Sequence, residues 1–370
     1  SNPVCDTWEL AYVLRPDLKS YALGSLTGEV QATHETPHRA VDDANATRQV
    51  FVALLRGMDD LDELTLAEIG RLAQRSGMKL RSAIGPGRPS SARRPRMPTR
   101  DEAGRQARPP ISGLDLEALA GRLAHRRPLR PKEQATPVDS DVVEAALRSG
   151  SDFSGAIDRF EEREEQVEMA RAVGETLNDG GRLIVEAGTG VGKSLAYLLP
   201  AAIYATQNNK RVVVSTNTIN LQEQLIGKDI PALLDVLQDL PGVDLSQFNY
   251  TYLKGKANYL CLRRWESLAN SDLLTADDAK TLSKTLGWLR HTRTGDRAEL
   301  SLQGHDLSTW DRMNASSFGT CGGAREGACF YRHARDEASG AHLLVVNHAL
   351  LLADMQVGGT VLPDFDYLII

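Results

Sequence analysis

The chain has 370 residues, of which 41% are hydrophobic, 25% charged and 5% aromatic, with a formal net charge of −6 at pH 7. That length predicts two or three domains, and the composition excludes collagen-like, mucin-like and disulfide-scaffold proteins. No apolar run approaches the roughly 20 residues of a membrane span, since the best candidate, Leu195 to Ala205, is short and contains Pro200. Four unevenly spaced cysteines make no disulfide framework, so a reducing cytoplasm is the expected location. The chain begins at Ser1 without a Met and stops inside the apolar run at 367–370, which reads as an internal piece of a longer protein.

Residues 1–78 read as a short, mainly helical block. A helix is predicted from Asp43 to Met58, with Ala44, Phe51, Leu54, Leu55 and Met58 on one face. Residues 79–150 read as a basic, flexible linker. Between Lys79 and Lys132, fourteen lysines and arginines stand against Asp101, Glu102, Asp115 and Glu117, and the stretch at 85–96 is rich in Pro, Gly and Ser. Such a segment lacks the apolar side chains to offset its ordering entropy. Its sharper reading adds loose, salt-sensitive contacts to DNA phosphates. Residues 151–370 alternate strand and helix patterns. Short buried strands are predicted at 183–185, 211–214, 250–252, 343–346 and 367–370, with helical segments between most of them. That alternation predicts a mainly parallel sheet with crossover helices.

The strongest chemical signal is Ala187-Gly-Thr-Gly-Val-Gly-Lys-Ser194, placed between a predicted strand and a predicted helix. Gly188, Gly190 and Gly192 let the backbone turn its N–H groups inward around phosphate oxygens, and the following helix adds its positive end. In such a loop Lys193 reaches the β- and γ-phosphates and the Ser194 hydroxyl is placed for Mg²⁺; Thr189 and Val191 complete the loop. ATP with Mg²⁺ is the implied ligand. A glycine-rich turn without nucleotide is the plainer alternative, and Gly-Lys-Ser in this frame argues against it.

The stretch at 186–200 resembles motif I of the DinG/XPD-like superfamily 2 DNA helicases. Four further segments resemble that family in order: Arg163-Glu-Glu-Gln166 with Met169, Ser215-Thr-Asn-Thr218 with Leu221-Gln-Glu-Gln224, Lys254 to Cys261, and Val346-Asn-His-Ala-Leu-Leu351. The resemblance runs from about Phe160 to Ile370. It implies that Arg163 and Gln166 recognise adenine, a role for which a carboxamide is suited because it both donates and accepts. It implies that Ser215, Thr216 and Thr218 lie on the single-stranded DNA backbone. Taken singly, Ser215 and Thr216 could equally cap a helix, Gln222 and Gln224 could be solvated, and Asn347 and His348 could be satisfied polar residues at a strand end. The family also places an Asp-Glu-Ala-His motif directly after a strand like 366–370, so this chain is expected to bind ATP weakly and hydrolyse it little by itself.

The same resemblance implies an iron–sulfur domain at 250–340. Cys261, Cys321 and Cys329 fall there, one short of the family's four thiolates, while Cys5 lies in the other region. Three readings stay open: a four-iron cluster with a fourth ligand other than Cys, a zinc site, or no metal. Near the N-terminus, Asp6 to Ala11, Ser20 to Leu26 and His38 to Ala44 resemble the C-terminal part of a DnaQ-like 3′–5′ exonuclease. That resemblance makes His38 the general base and Asp43 a ligand for Mg²⁺ or Mn²⁺. The alternative is a helix start where Asp42 or Asp43 serves the dipole and His38 is incidental. The exonuclease piece is not expected to be active alone.

The resulting expectation is an α/β fold. It comprises a P-loop (RecA-like) motor domain truncated before motif II, an inserted small helical cysteine-containing domain, and a truncated ribonuclease H-like exonuclease piece. The implied function is a DinG-type ATP-dependent DNA helicase of replication stress or repair, moving 5′ to 3′ on single-stranded and forked DNA. No membrane and no obligate protein partner are implied. The competing classes are another P-loop NTPase and a non-catalytic DNA-binding protein that kept the fold.

Overall fold

The computed structural model describes residues 4–34, 39–84, 114, 116–123, 126–148, 163–188, 190–237, 243–316 and 328–370. The chain divides into two compact units, each built from two chain segments: Ser1–Ala124 with Lys256–Tyr331, and His125–Gly255 with Arg332–Ile370. No helix among the described residues is long and apolar enough to cross a membrane.

The first unit is helical. Its main helices span Thr7–Leu14, Leu23–Glu29, Ala40–Asp59, Glu63–Ser76 and Leu116–Arg122, then Leu262–Ala269, Ala276–Leu289 and His305–Met313. Local chemistry sets their ends. Asp6 and Asp62 cap the starts of their helices, Thr275 and Asp278 form a capping box, and Gly77, with φ +70°, closes the Glu63–Ser76 helix. One apolar core draws on both segments, with Leu10, Val50, Ile69 and Leu119 from the first and Trp265, Leu286, Trp310 and Phe330 from the second. The N-terminal block and the segment read as a separate insertion thus share one core, because each presents amphipathic helix faces that the other covers.

A buried polar cluster fastens the same joint. The Tyr12 hydroxyl donates to Asp306, as does Thr281 at 2.8 Å, and Lys284 Nζ lies 3.5 Å from Asp306 and 4.5 Å from the Tyr12 ring centre. Burial pushes the Lys284 ammonium below its ordinary pKa, and Asp306 opposes that shift. The predicted Asp43–Met58 helix exists, as Ala40–Asp59, but its buried stripe is Ala46, Val50, Leu54 and Met58. Phe51 and Leu55 are half-buried and Ala44 is exposed. The stripe follows a straight i, i+4 row.

The second unit carries a sheet of four parallel strands: β1 Val212–Thr216, β2 Tyr250–Tyr252, β3 Leu343–Asn347 and β4 Tyr367–Ile369, in the order β2-β3-β1-β4. Being parallel, their carboxyl ends share one edge, where Ser215 pairs with Val346 and Thr216 with Asn347. Four of the five predicted strands are present. Residues 183–185 lie outside the sheet instead, with Leu183 40%, Ile184 97% and Val185 41% exposed. Among the described residues they find no ladder to join, and β4 is paired on its β1 side only.

The predicted flexible linker at 79–150 needs a second correction. Residues 126–139 are stitched to the second unit by asparagine carboxamides that stand in for a neighbouring backbone. Asn208 accepts from the Thr136 N–H at 2.6 Å and donates to its carbonyl at 2.9 Å. Asn178 does the same for Val138 at 2.7 and 2.9 Å. The Ser140–Arg148 helix then buries Val143, Ala146 and Leu147 in the core of this unit. The stretch at 85–96 lies outside the described residues.

At the entry to β3, His342 is 3% exposed. The Asn249 N–H donates to its Nδ1 at 3.1 Å, and its Nε2 sits 3.0 Å from Asn209 Oδ1, so the site suits the neutral ring with the proton on Nε2. Burial, followed by the charges of Arg211 and Arg126, pushes its pKa down from 6.5 to about 4. The unfolded chain therefore binds a proton that the folded chain refuses. The stability tied to this site is intact above pH 6.5 and falls as the pH drops toward 4. The expected loss is about 3 kcal/mol in all. Urea unfolding between pH 4 and 7 should show this slope, and His342→Gln should flatten it.

Candidate nucleotide site

The Lys193–Asn208 helix positions the loop. It is buried at nearly every position from Leu195 to Ala205, packed in one core with Val212 and Val214 of β1, Leu343 and Val345 of β3, and Val167 and Ala170 of the Glu164–Asp179 helix. Only its first turn is open, at exposed Lys193 and half-buried Ser194. Its N-cap is Gly192, with φ +81° and no capping side chain, so the first-turn N–H groups are left to an incoming acceptor. Gly190 also has positive φ, +88°. Two of the three glycines that the spacing marked thus adopt glycine-dependent turns, while Gly188 has no positive φ.

The flanking residues grip the loop. Gln166 is 3% exposed and donates from Nε2 to the Gly192 carbonyl at 2.9 Å. The Arg163 guanidinium donates to the Gly190 carbonyl. Lys193 Nζ donates to the carbonyls of Ala187 at 3.1 Å and Gly188 at 2.7 Å, so it is already turned into the loop. Burial raises the pKa of Tyr197, one turn after Ser194, and its bond to the Ser194 hydroxyl opposes that rise. A cavity of ≈ 360 Å³ lies beside the loop, lined in part by Glu165, Met169, Ala172, Val185, Gly188 and Val191. Thr189 lies outside the described residues. Glycines at positive φ, an uncapped helix start and an adjacent lysine are the donor set a phosphate chain needs. The loop fits ATP, and the Ser194 hydroxyl would stand beside its Mg²⁺.

At the carboxyl edge of the sheet, Ser215 and Thr216 are 4% and 8% exposed. Ser215 Oγ is 2.7 Å from His348 Nδ1, and Thr216 Oγ1 donates to the carbonyls of Thr218 at 2.9 Å and Val346 at 3.3 Å. Both hydroxyls are thus engaged inside the protein. Thr218 is exposed and caps the Ile219–Gln224 helix, accepting from the Leu221 N–H at 3.2 Å. Gln222, one of the residues that could have been solvated, is fully buried and donates to the carbonyls of Leu253 and Val345 at 3.1 and 2.8 Å. Lys254 is 2% exposed and pairs with Glu223 at 2.9 Å. No periodicity in the sequence signals the links of Ser215 to His348, Thr216 to Val346, Gln222 to Leu253 and Val345, and Lys254 to Glu223, because each joins residues more than thirty positions apart.

Cys5, Cys261 and Cys329 are half-buried thiols without a disulfide. Burial, reinforced by Glu9 and Asp6, pushes the Cys5 thiol up, away from the thiolate a metal would need. Among the described residues, no group of three or more His, Cys, Asp or Glu side chains gathers to hold a metal, and Cys321 lies outside them. His38 also lies outside the described residues. Asp43 stands in the first turn of the Ala40–Asp59 helix with His34 Nε2 2.8 Å from its Oδ1. The sequence reading passed over His34, whose only signal is its nearness to Asp43.

The fold and the loop define an α/β P-loop protein with a parallel sheet. Residues 168–233 match the DEAD/DEAH box helicase family. The chain is 29% identical over 354 residues to the 3′–5′ exonuclease DinG of Bacillus subtilis, an alignment that covers 95% of this chain and 35% of that protein. It is 36% identical over 227 residues to the ATP-dependent DNA helicase YoaA of Haemophilus influenzae (59% of this chain, 33% of the relative). It is 38% identical over 227 residues to the ATP-dependent helicase DinG of Mycobacterium tuberculosis (56% and 33%). The chain is therefore similar to the DinG- and YoaA-named proteins, and one segment of it matches the DEAD/DEAH box helicases. It spans about a third of the length of these relatives.

Gly192 is the loop position with least latitude. A Cβ there would sit 2.1 Å from Gln166 Nε2, at a φ that L side chains rarely adopt. Gly192→Ala should cost about 2 kcal/mol of stability and weaken nucleotide binding. Adding Gln166→Ala removes the collision and leaves the φ strain, so chemical denaturation of the double variant should show partial recovery.

Proposed function

We propose that this chain is the ATP-gripping part of a DinG-type DNA helicase that moves 5′ to 3′ along single-stranded and forked DNA. The observation that carries the reading is the loop at 187–194, opening a helix whose body is buried on a parallel sheet. ATP with Mg²⁺ supplies the phosphoanhydride whose cleavage powers movement. Lys193 leaves the Ala187 and Gly188 carbonyls for the β- and γ-phosphates, and the N–H groups after Gly192 receive phosphate oxygens. The Ser194 hydroxyl would hold the Mg²⁺. Arg163 and Gln166 hold the loop through the Gly190 and Gly192 carbonyls, and the small cavity beside the loop has an apolar wall of Met169, Ala172 and Val185 that suits a nucleobase. The exposed turn at 217–218 offers backbone and the Thr218 hydroxyl to a DNA strand, in place of the enclosed Ser215 and Thr216 hydroxyls.

We also infer a 3′–5′ exonuclease in the whole protein, with Asp43 as a metal ligand. In support, the relative whose alignment covers 95% of this chain is named an exonuclease, whereas the two helicase-named relatives align over 59% and 56% of it. His34, bonded to Asp43, would orient that carboxylate.

Titration with a fluorescent ATP analogue tests the core of the proposal. The chain should bind it, and Lys193→Ala should weaken binding about tenfold or more, as expected for loss of a charge-assisted contact. In the full-length protein, single-stranded DNA should stimulate ATP hydrolysis and the same substitution should abolish it. Hydrolysis indifferent to DNA would favour another kind of P-loop NTPase. Nucleotide binding untouched by Lys193→Ala would remove the reading altogether.

A further inference from the structure

Three side-chain links tie the β1–helix connection, residues 215–222, to Val345 and Val346 of β3 and to His348, the first residue after the strand. Ser215 Oγ meets His348 Nδ1 at 2.7 Å, Thr216 Oγ1 donates to the Val346 carbonyl at 3.3 Å, and Gln222 Nε2 donates to the Val345 carbonyl at 2.8 Å. Parallel register sets Ser215 beside Val346 and Thr216 beside Asn347, so His348, the next residue, can reach back across to Ser215. Asn347 meanwhile caps the His348–Gln356 helix by accepting from the Leu350 N–H at 2.9 Å, which fixes the backbone from which His348 projects. Of the three links, only Ser215–His348 joins two side chains, and so only there can both ends be changed without touching backbone.

Ser215 is 4% exposed, so its hydroxyl has no path to a ligand. Residues 217 and 218, two and three positions later, are exposed. Holding Ser215 therefore sets where the turn at 217–218 presents its backbone, and His348, half-buried, acts on that turn through Ser215. We propose that His348 is a positioning residue that locks the 215–218 turn through Ser215 in the geometry that receives a single-stranded DNA backbone. The DNA part of this inference rests on the proposed helicase function; the locking part does not. A ring with its proton on Nε2 would accept the Ser215 O–H at Nδ1, a role the Asn carboxamide oxygen reproduces at nearly the same distance from Cβ.

The test compares His348→Ala, Ser215→Ala, the double variant and His348→Asn by two measurements on the same chain. Hydrogen exchange reads the lock directly. Amides of the 216–221 segment should exchange about fivefold faster in His348→Ala and in Ser215→Ala, the size expected for one lost buried hydrogen bond. The double variant should be no faster than either single one, His348→Asn should be restored, and the 187–194 loop should be unchanged throughout. Anisotropy with fluorescent oligo-dT reads the consequence. Affinity should fall about fivefold in both alanine variants and recover in His348→Asn, with affinity for the ATP analogue constant. Unchanged exchange at 216–221 in His348→Ala overturns the inference, as does an additive double variant. Wild-type chain that shows the exchange pattern but ignores oligo-dT overturns the DNA assignment and with it that part of the functional reading, leaving the lock established. Equal losses for oligo-dT and nucleotide would show a general structural role and also overturn the proposal.

Discussion

One helix has to be immobile along its body and open at its tip. From Leu195 to Ala205 the Lys193–Asn208 helix sits almost wholly in the core of the second unit, and its alanines at 196, 201, 202 and 205 are all fully buried. Small side chains at the contact let a helix lie close to its neighbours. The open first turn then stands at the end of a fixed rod, with donors that point where the rod points. Loop, glutamine and lysine are arranged around that fact. Gln166 reaches the Gly192 carbonyl because its own helix packs along the rod through Val167 and Ala170. A substitution deep in the rod, such as at Leu199, would therefore be felt at the loop through geometry rather than through any contact with nucleotide.

The sheet edge follows from the same constraint. Parallel strands put all their carboxyl ends on one side, where the side chains that follow β1 and β3 meet. Gln222 shows how tightly that edge is built, since a single carboxamide donates to carbonyls from the ends of two elements, Leu253 and Val345. The helical path after it widens into one π-turn at Leu225–Asp229, directly before the helix containing Pro231. A proline has no N–H to give and its ring crowds the carbonyl four residues back. A widened turn at that place accommodates both effects while the polar residues at 222–224 keep their places on the preceding turn.

What was legible in the sequence was what is local. The phosphate loop needs only eight consecutive residues, and β1 and β3 are short apolar runs that any core would bury, whereas β4 forms as expected but is only half-buried. What stayed hidden depends on partners far along the chain. Asn178 and Asn208 look like ordinary helix residues until Thr136 and Val138 lie against them, so the ordered strap at 126–139 read as linker. The shared core of the first unit pairs Leu10 with residues near Trp310, some three hundred positions away. The run at 183–185 is the reverse case. Its apolar pattern is sound, yet a strand requires a ladder, and pattern alone cannot supply the neighbour.

The buried charges divide along the same line. Lys284 in the first unit and Arg211 in the second are both almost completely enclosed, and burial pushes both below their ordinary pKa values. Their settings differ. Lys284 donates to the one carbonyl of Ser301 and lies 3.5 Å from Asp306, a carboxylate that also accepts from the hydroxyls of Tyr12 and Thr281. Arg211 donates to three backbone carbonyls, at Ser339, Ala341 and Asp364, and so uses its planar fork to gather the chain ahead of β3 and β4 onto the start of β1. Lysine could not do the second task, because a point charge reaches one such cluster of carbonyls and the guanidinium reaches three separate residues at once. The first task needs a compact cation that fits over the Tyr12 ring, which lysine is. Each residue type is thus dictated by the shape of its partners, and neither choice was visible before those partners were assembled.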